Sequence, residues 1–94
     1  MKYFLHENDL PESVNIDQSV AIDTETTGLN LIRDRLCLIQ ICTGNDEAHL
    51  IKINSRKSQA PNISKILMNK KILKIFHFGR FDIAVLLKHF ECDI

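Results

Sequence analysis

Ninety-four residues allow one small domain, and 45% hydrophobic with 26% charged residues is the composition of a globular chain, which excludes a disordered one. Twelve basic residues balance twelve acidic ones. That excludes a protein that holds nucleic acid through a global positive field, but not one that grips phosphate through metal ions on carboxylates.

The opening Tyr3-Phe4-Leu5 turns polar at His6-Glu7-Asn8-Asp9. It is too short for a secretory leader, and no run of eighteen apolar residues follows anywhere. A cytoplasmic location without a membrane partner is expected. The segment up to about Ser19, interrupted by Pro11, reads as polar.

Val20-Ala21-Ile22-Asp23-Thr24-Glu25 is a β-branched run closed by Thr26-Thr27-Gly28, which predicts a strand and a turn. Leu36 to Thr43 is almost continuously apolar and predicts a strand covered on both faces. Ala48 to Ile53 predicts a third strand, with His49 and Lys52 on its wetter positions. The Gly44-Asn45-Asp46-Glu47 link favours an antiparallel hairpin between the second and third strands.

After a polar loop, Pro61 opens a short helix with Ile63, Ile66 and Leu67 on one stripe, ending near Asn69. Ile72 to Phe76 predicts a fourth strand. Gly79 breaks it, and a second helix follows with Ile83, Leu86, Leu87 and Phe90 as its apolar stripe. The order β-β-β-α-β-α describes an α/β fold with a mixed sheet. Cys37, Cys42 and Cys92 lack metal-ligand spacing and read as buried free thiols. His6, His49 and His89 read as surface residues, and Lys65, Lys70, Lys71 and Lys74 as a solvated face that could also meet a phosphate backbone.

Asp23 and Glu25 lie two apart on the first predicted strand, so both carboxylates share one face. Two adjacent acids repel, and a divalent cation with its preference for oxygen ligands reverses that penalty. Asp82 opens the last helix, directly after the fourth strand. If that strand lies beside the first, Asp82 is brought towards Asp23 and Glu25.

Asp23-Thr24-Glu25-Thr26-Thr27-Gly28-Leu29 resembles the first motif of the DEDD superfamily of 3′–5′ exonucleases, and His77 to Asp82 resembles the second. Arg35 to Ile41 is closer to ribonuclease D than to polymerase proofreading domains. The resemblance implies a ribonuclease H-like core, residues 1–94 forming the N-terminal part of an exonuclease domain. It also implies phosphodiester hydrolysis at single-stranded or tRNA-like RNA 3′ ends, with DNA as an alternative substrate, by two Mg²⁺ or Mn²⁺ ions. Asp23, Glu25 and Asp82 would be the catalytic metal ligands. Thr26, Leu29, His77 and Phe78 would meet the substrate, Leu29 against the terminal base.

The superfamily's third motif, an aspartate preceded at four residues by Tyr or His, has no match in the expected place. Tyr3 is the only tyrosine, and His89 with Asp93 has the spacing but follows directly on the helix of Asp82. The implied site is therefore incomplete, part of the sheet should be uncovered, and little activity is expected of this chain alone. The alternatives are half of a split exonuclease completed by a C-terminal partner chain, or a non-catalytic module that binds RNA ends or another protein.

Overall fold

The β-branched and aliphatic runs read from the sequence form the sheet of the computed structural model, which describes residues 1–77, 79–91 and 94. In chain order the elements are β1 (Lys2–Glu7), β2 (Ser19–Thr26), β3 (Leu36–Cys42), β4 (Glu47–Lys52), α1 (Pro61–Met68), β5 (Leu73–Ile75) and α2 (Arg80–Phe90). They build a mixed five-stranded sheet in the order β1-β4-β3-β2-β5. The α/β class and the antiparallel hairpin of β3 with β4 are as expected, and β5 does lie beside β2, in parallel.

The element order gains a strand. Lys2–Glu7, which the expected order leaves without an element, pairs in parallel with β4 from Lys2↔Glu47 to Glu7↔Lys52. Its apolar residues sit on a sheet edge, where Tyr3 and Leu5 stay exposed, so burial leaves little imprint on its pattern. Long-range pairing with β4 supplies what local alternation lacks.

Cross-strand partners share a face, so the registers sort the sheet into two sides. Val20, Ile22 and Thr24 lie on one side with Ile39, Ile41 and Ile51. Ile63 and Leu67 of α1 and Val85 and Leu86 of α2 join the same buried cluster, so both helices cover that side. The other side carries Tyr3, Leu5, Leu50, Gln40, Asp23, Glu25 and, on β5, Leu73 and Ile75. Among the described residues the face that holds the two acids is left without a helix.

Local chemistry sets the helices. Pro61 begins α1 after Ala60, which takes a left-handed conformation and offers no capping side chain. Asp9 does the capping from afar: its carboxylate accepts the amides of Asn62 at 3.0 Å and Ile63 at 3.1 Å. Asn8 braces the preceding loop by accepting from the Asn54 amide and the Ser58 hydroxyl, both at 2.9 Å.

Several side chains sit differently from their sequence reading. Lys52 is exposed, but His49 is only 3% exposed, bonded through Nδ1 to His6 Nε2 at 2.9 Å and stacked beside Phe4. His6 and His89 are half-buried, not surface residues. Burial, and then the neighbouring His49, lowers the His6 pKa. The buried residues of α2 are Asp82, Val85 and Leu86, while Leu87 of the expected stripe is exposed and Ile83 and Phe90 are half-buried. A polar anchor at Asp82, its hydrogen bond with Thr24, accompanies this rotated face. Cys37 and Cys42 are free thiols and only partly buried; Cys92 lies outside the described residues.

Candidate active site

Alternation along β2 projects Asp23 and Glu25 from the bare face and sends Thr24 into the helix-covered side. Neither acid forms an ion pair with a described residue. Asp23 Oδ1 accepts the amide of Thr24 at 2.9 Å, which orients that carboxylate at the strand surface. Immediately after Glu25 the register with β3 shifts, so the strand leaves the ladder where the motif turns away.

Asp82 enters from the other side. It stands in the first turn of α2, where a carboxylate is favoured by the helix dipole, and it is 8% exposed. The Thr24 hydroxyl donates to its Oδ1. The third acid is thereby tied to the residue between the first two, but on the opposite side of the strand. Among the described residues no three His, Cys, Asp or Glu side chains form a group able to hold a metal ion. Gly79, just before α2, has no room for a side chain: an added Cβ would strike Phe76.

The turn after β2 is built around Asp34, which sequence reasoning did not single out. Its carboxylate accepts the Asn30 amide at 2.9 Å and both Nε and Nη2 of Arg33 at 3.1 Å, with the Thr27 hydroxyl 3.4 Å away. The Arg33 hydrogen bond, followed by the Asn30 amide, holds the Asp34 carboxyl down at about 2. A Cβ on Gly28 would overlap this carboxylate, so the glycine leaves the space that Asp34 fills. Thr27 closes the base of the loop through the Arg35 carbonyl and amide, each at 3.0 Å. The signal that could have found Asp34 is the spacing of Asn30 and Asp34 within a polar turn, where such side chains bond nearby amides.

Two of the expected substrate contacts, Thr26 and Leu29, lie at this loop. Thr26 is half-buried and donates its hydroxyl to the Gly28 carbonyl. Leu29 is 84% exposed at the loop tip, an apolar side chain offered to solvent. His77 is exposed between β5 and α2. Phe78 and Asp93 lie outside the described residues.

Oxygen donors on an uncompensated pair of acids suit a hard divalent cation. Asp23 and Glu25 fit one chemically, and Asp82 is held one residue away in the strand through Thr24. The arrangement sets two carboxylates on one side of β2 and a third on the other.

Known proteins share this plan. The model of a 3′–5′ exonuclease family matches residues 6–94. Ribonuclease D of Zymomonas mobilis is 34% identical over 70 residues, covering 74% of this chain and 18% of that protein. NrnC of Brucella melitensis superposes with a TM-score of 0.88 at 50% identity, covering 96% of this chain and 45% of that one. NrnC structures with bound Mg²⁺ and bound to pGG align similarly, the latter with a TM-score of 0.87. Escherichia coli RNase D, an exoribonuclease involved in structured RNA processing, aligns with a TM-score of 0.60 at 28% identity over 79% of this chain and 19% of its own length. The chain thus spans less than half the length of these relatives. With the match covering nearly every residue from His6 onward, and the two-acid strand and its turn set in the same sheet, this chain belongs to the 3′–5′ exonuclease family.

Proposed function

We propose that this chain provides the two-acid strand and the nucleotide loop of a metal-dependent 3′–5′ exonuclease acting on RNA 3′ ends, and that its site is completed by further carboxylate ligands. The observation that carries the reading is the pair Asp23 and Glu25 on a bare sheet face, with Asp82 bonded to the Thr24 between them. Asp23 and Glu25 would hold Mg²⁺ or Mn²⁺, and Asp82 would support a second ion. Such ions supply an activated water and neutralise charge on the leaving 3′ oxygen.

The chain's own residues do the positioning. Leu29 packs against the terminal base from the loop that Asp34 keeps in shape, and Thr26 fixes the Gly28 carbonyl beneath it. His77 stands at the entrance to α2, where a terminal sugar or phosphate would lie. RNA is favoured over DNA because the relatives include ribonuclease D, and short substrates are supported by NrnC bound to pGG.

The uncovered face favours completion by another polypeptide segment, including a partner chain in a split enzyme. Tyr3, Leu5, Leu73 and Ile75 on that face are exposed apolar side chains. Two divalent cations carry four positive charges, while Asp23, Glu25 and Asp82 balance only three.

The test is a Mn²⁺ titration of the purified chain beside Asp23→Asn, followed by trimming of a 5′-labelled RNA. Weak Mn²⁺ binding that Asp23→Asn abolishes, without trimming, is expected. Robust trimming by the 94-residue chain would show the site to be complete, and Mn²⁺ binding equal in both proteins would remove the metal-site reading.

A further inference from the structure

Five cations gather at the far end of α2 from Asp82, where two acids, Asp34 and Glu91, line the same clefts. Arg35, Arg56, Lys57, Lys65 and Lys88 form no ion pair with any described residue, although the whole chain is electrically neutral. They line two adjoining clefts. One, of about 210 Å³, runs between the motif loop and α2 and is lined by Arg35, Arg56, Lys88 and His89. The next, of about 550 Å³, continues along α1 past Arg56, Lys57, Lys65 and His89. Arg56, His89 and Glu91 belong to both, so the clefts join.

The inner cations are fixed, not loose. Lys88 Nζ donates to the carbonyls of Leu31 and Ile32, and Arg56 to that of Arg33. Arg35 Nη1 donates to the carbonyls of Leu36 at 3.1 Å and Ile53 at 2.7 Å. Each guanidinium retains unused N–H donors after these bonds. The acids lining the clefts are Asp34, already engaged by Arg33, and Glu91. Fixed like charges repel one another, and a polyanion lying across them relieves that repulsion.

Position and length identify the polyanion. Lys88 lies six residues along α2 from Asp82, about 9 Å at 1.5 Å per residue. A strand whose end sits at the two-acid face would round the motif loop, from the bare side of the sheet to the helix-covered side, to enter the first cleft. Two joined clefts are longer than one phosphate needs. We infer that these clefts form a binding path for the phosphate backbone of a single-stranded nucleic acid, upstream of the 3′-terminal nucleotide. The inference rests on the exonuclease reading for its direction, but the path binds by charge and needs no metal. Strands longer than a dinucleotide gain affinity from it.

The experiment measures anisotropy of a labelled heptaribonucleotide and a labelled diribonucleotide with the full chain in chelator, over a salt series. The charge-reversal pair Lys57→Glu with Lys65→Glu is the main variant, because neither ammonium is hydrogen-bonded to a described residue. Arg56→Ala is the second variant, with melting curves confirming that each protein folds. The heptanucleotide should bind the wild type, lose roughly tenfold in the charge-reversal pair, and show a salt slope shallower by about 0.7 per lost contact. The diribonucleotide should be indifferent to the change, and Asp23→Asn should leave heptanucleotide binding intact.

An unchanged heptanucleotide affinity in the charge-reversal pair overturns the path, as does absence of binding by the wild type. Displacement of the strand by low-millimolar inorganic phosphate also overturns it, since the clefts would then be a free-phosphate site. Mn²⁺ binding by wild type and Asp23→Asn, measured in parallel without chelator, reports on the two-acid site alone, so failure of that reading is seen separately.

Discussion

Thr24 and Asp82 stand 58 residues apart and are joined by one hydrogen bond, hydroxyl to carboxylate, in the buried layer between β2 and α2. The bond fixes the start of α2 against the strand that carries Asp23 and Glu25. It also explains why the buried face of α2 begins with an acid.

Replacing Thr24 by valine keeps the shape of the side chain and removes the donor. The Asp82 carboxylate then stays 8% exposed without that partner, and stability should fall by about 1–3 kcal/mol. Thr24→Ser should recover most of the loss. Urea unfolding of the two variants checks this, and a Thr24→Val protein as stable as wild type would mean the bond contributes nothing.

Gly28 and Asp34 should be coupled. Gly28→Ala drives a methyl into the Asp34 carboxylate and should cost about 1–3 kcal/mol through overpacking. In an Asp34→Ala background the same change should be much cheaper. The difference, read from a double-mutant cycle of unfolding energies, is the coupling. Equal costs in both backgrounds would place the glycine's role elsewhere.

Acid should loosen the motif loop at a defined point. The Asp34 carboxyl titrates at about 2 in the fold against 3.8 ordinarily, so its folded pKa is depressed. Stability from this group is fully present above 3.8 and is lost as pH falls from there through about 2. Carboxyl chemical shifts across that range give the midpoint. Arg33→Ala should move it upward, because the Arg33 hydrogen bond is the largest cause of the depression.

Asp9 should matter to α1 although it belongs to another segment. Asp9→Ala leaves the amides of Asn62 and Ile63 without their acceptor and should destabilise by about 1–2 kcal/mol, the scale of a lost N-cap. Asp9→Asn should retain part of the effect. Thermal unfolding and amide exchange at Ile63 report it directly.

What could be read from sequence follows from what is local. Asp23 and Glu25 on one face of a strand, Pro61 at a helix start and the hairpin of β3 with β4 all depend on neighbours within a few residues, and each appears as expected. Lys2–Glu7 was hidden because an edge strand exposes both its faces and its partner lies more than forty residues away. His49 was misplaced because its polarity is answered by His6, a partner no spacing rule predicts. Asp82 opens α2 as expected, and with its hydrogen bond to Thr24 goes a buried face that includes Val85 and not Leu87. The sequence brings Asp82 towards Asp23 and Glu25, but among the described residues the three form no metal-holding group, because Asp82 bonds Thr24 on the opposite side of β2.

The pairing pattern of the sheet also sets an order of events. β2, β3 and β4 form an antiparallel meander with short connections, whereas β1 and β5 are added by parallel pairings across long stretches of chain. Contacts near in sequence close fastest, so the meander is expected to form first and the two flanks to dock afterwards. Asp23 and Glu25 would then be in place before β5 delivers α2 and Asp82. Pulse-labelled hydrogen exchange during refolding would show this as protection of Ile39 and Ile41 ahead of Ile75 and Leu86. The two halves of the candidate site would thus have separate birth times, and a chain halted between them would present the acid pair alone.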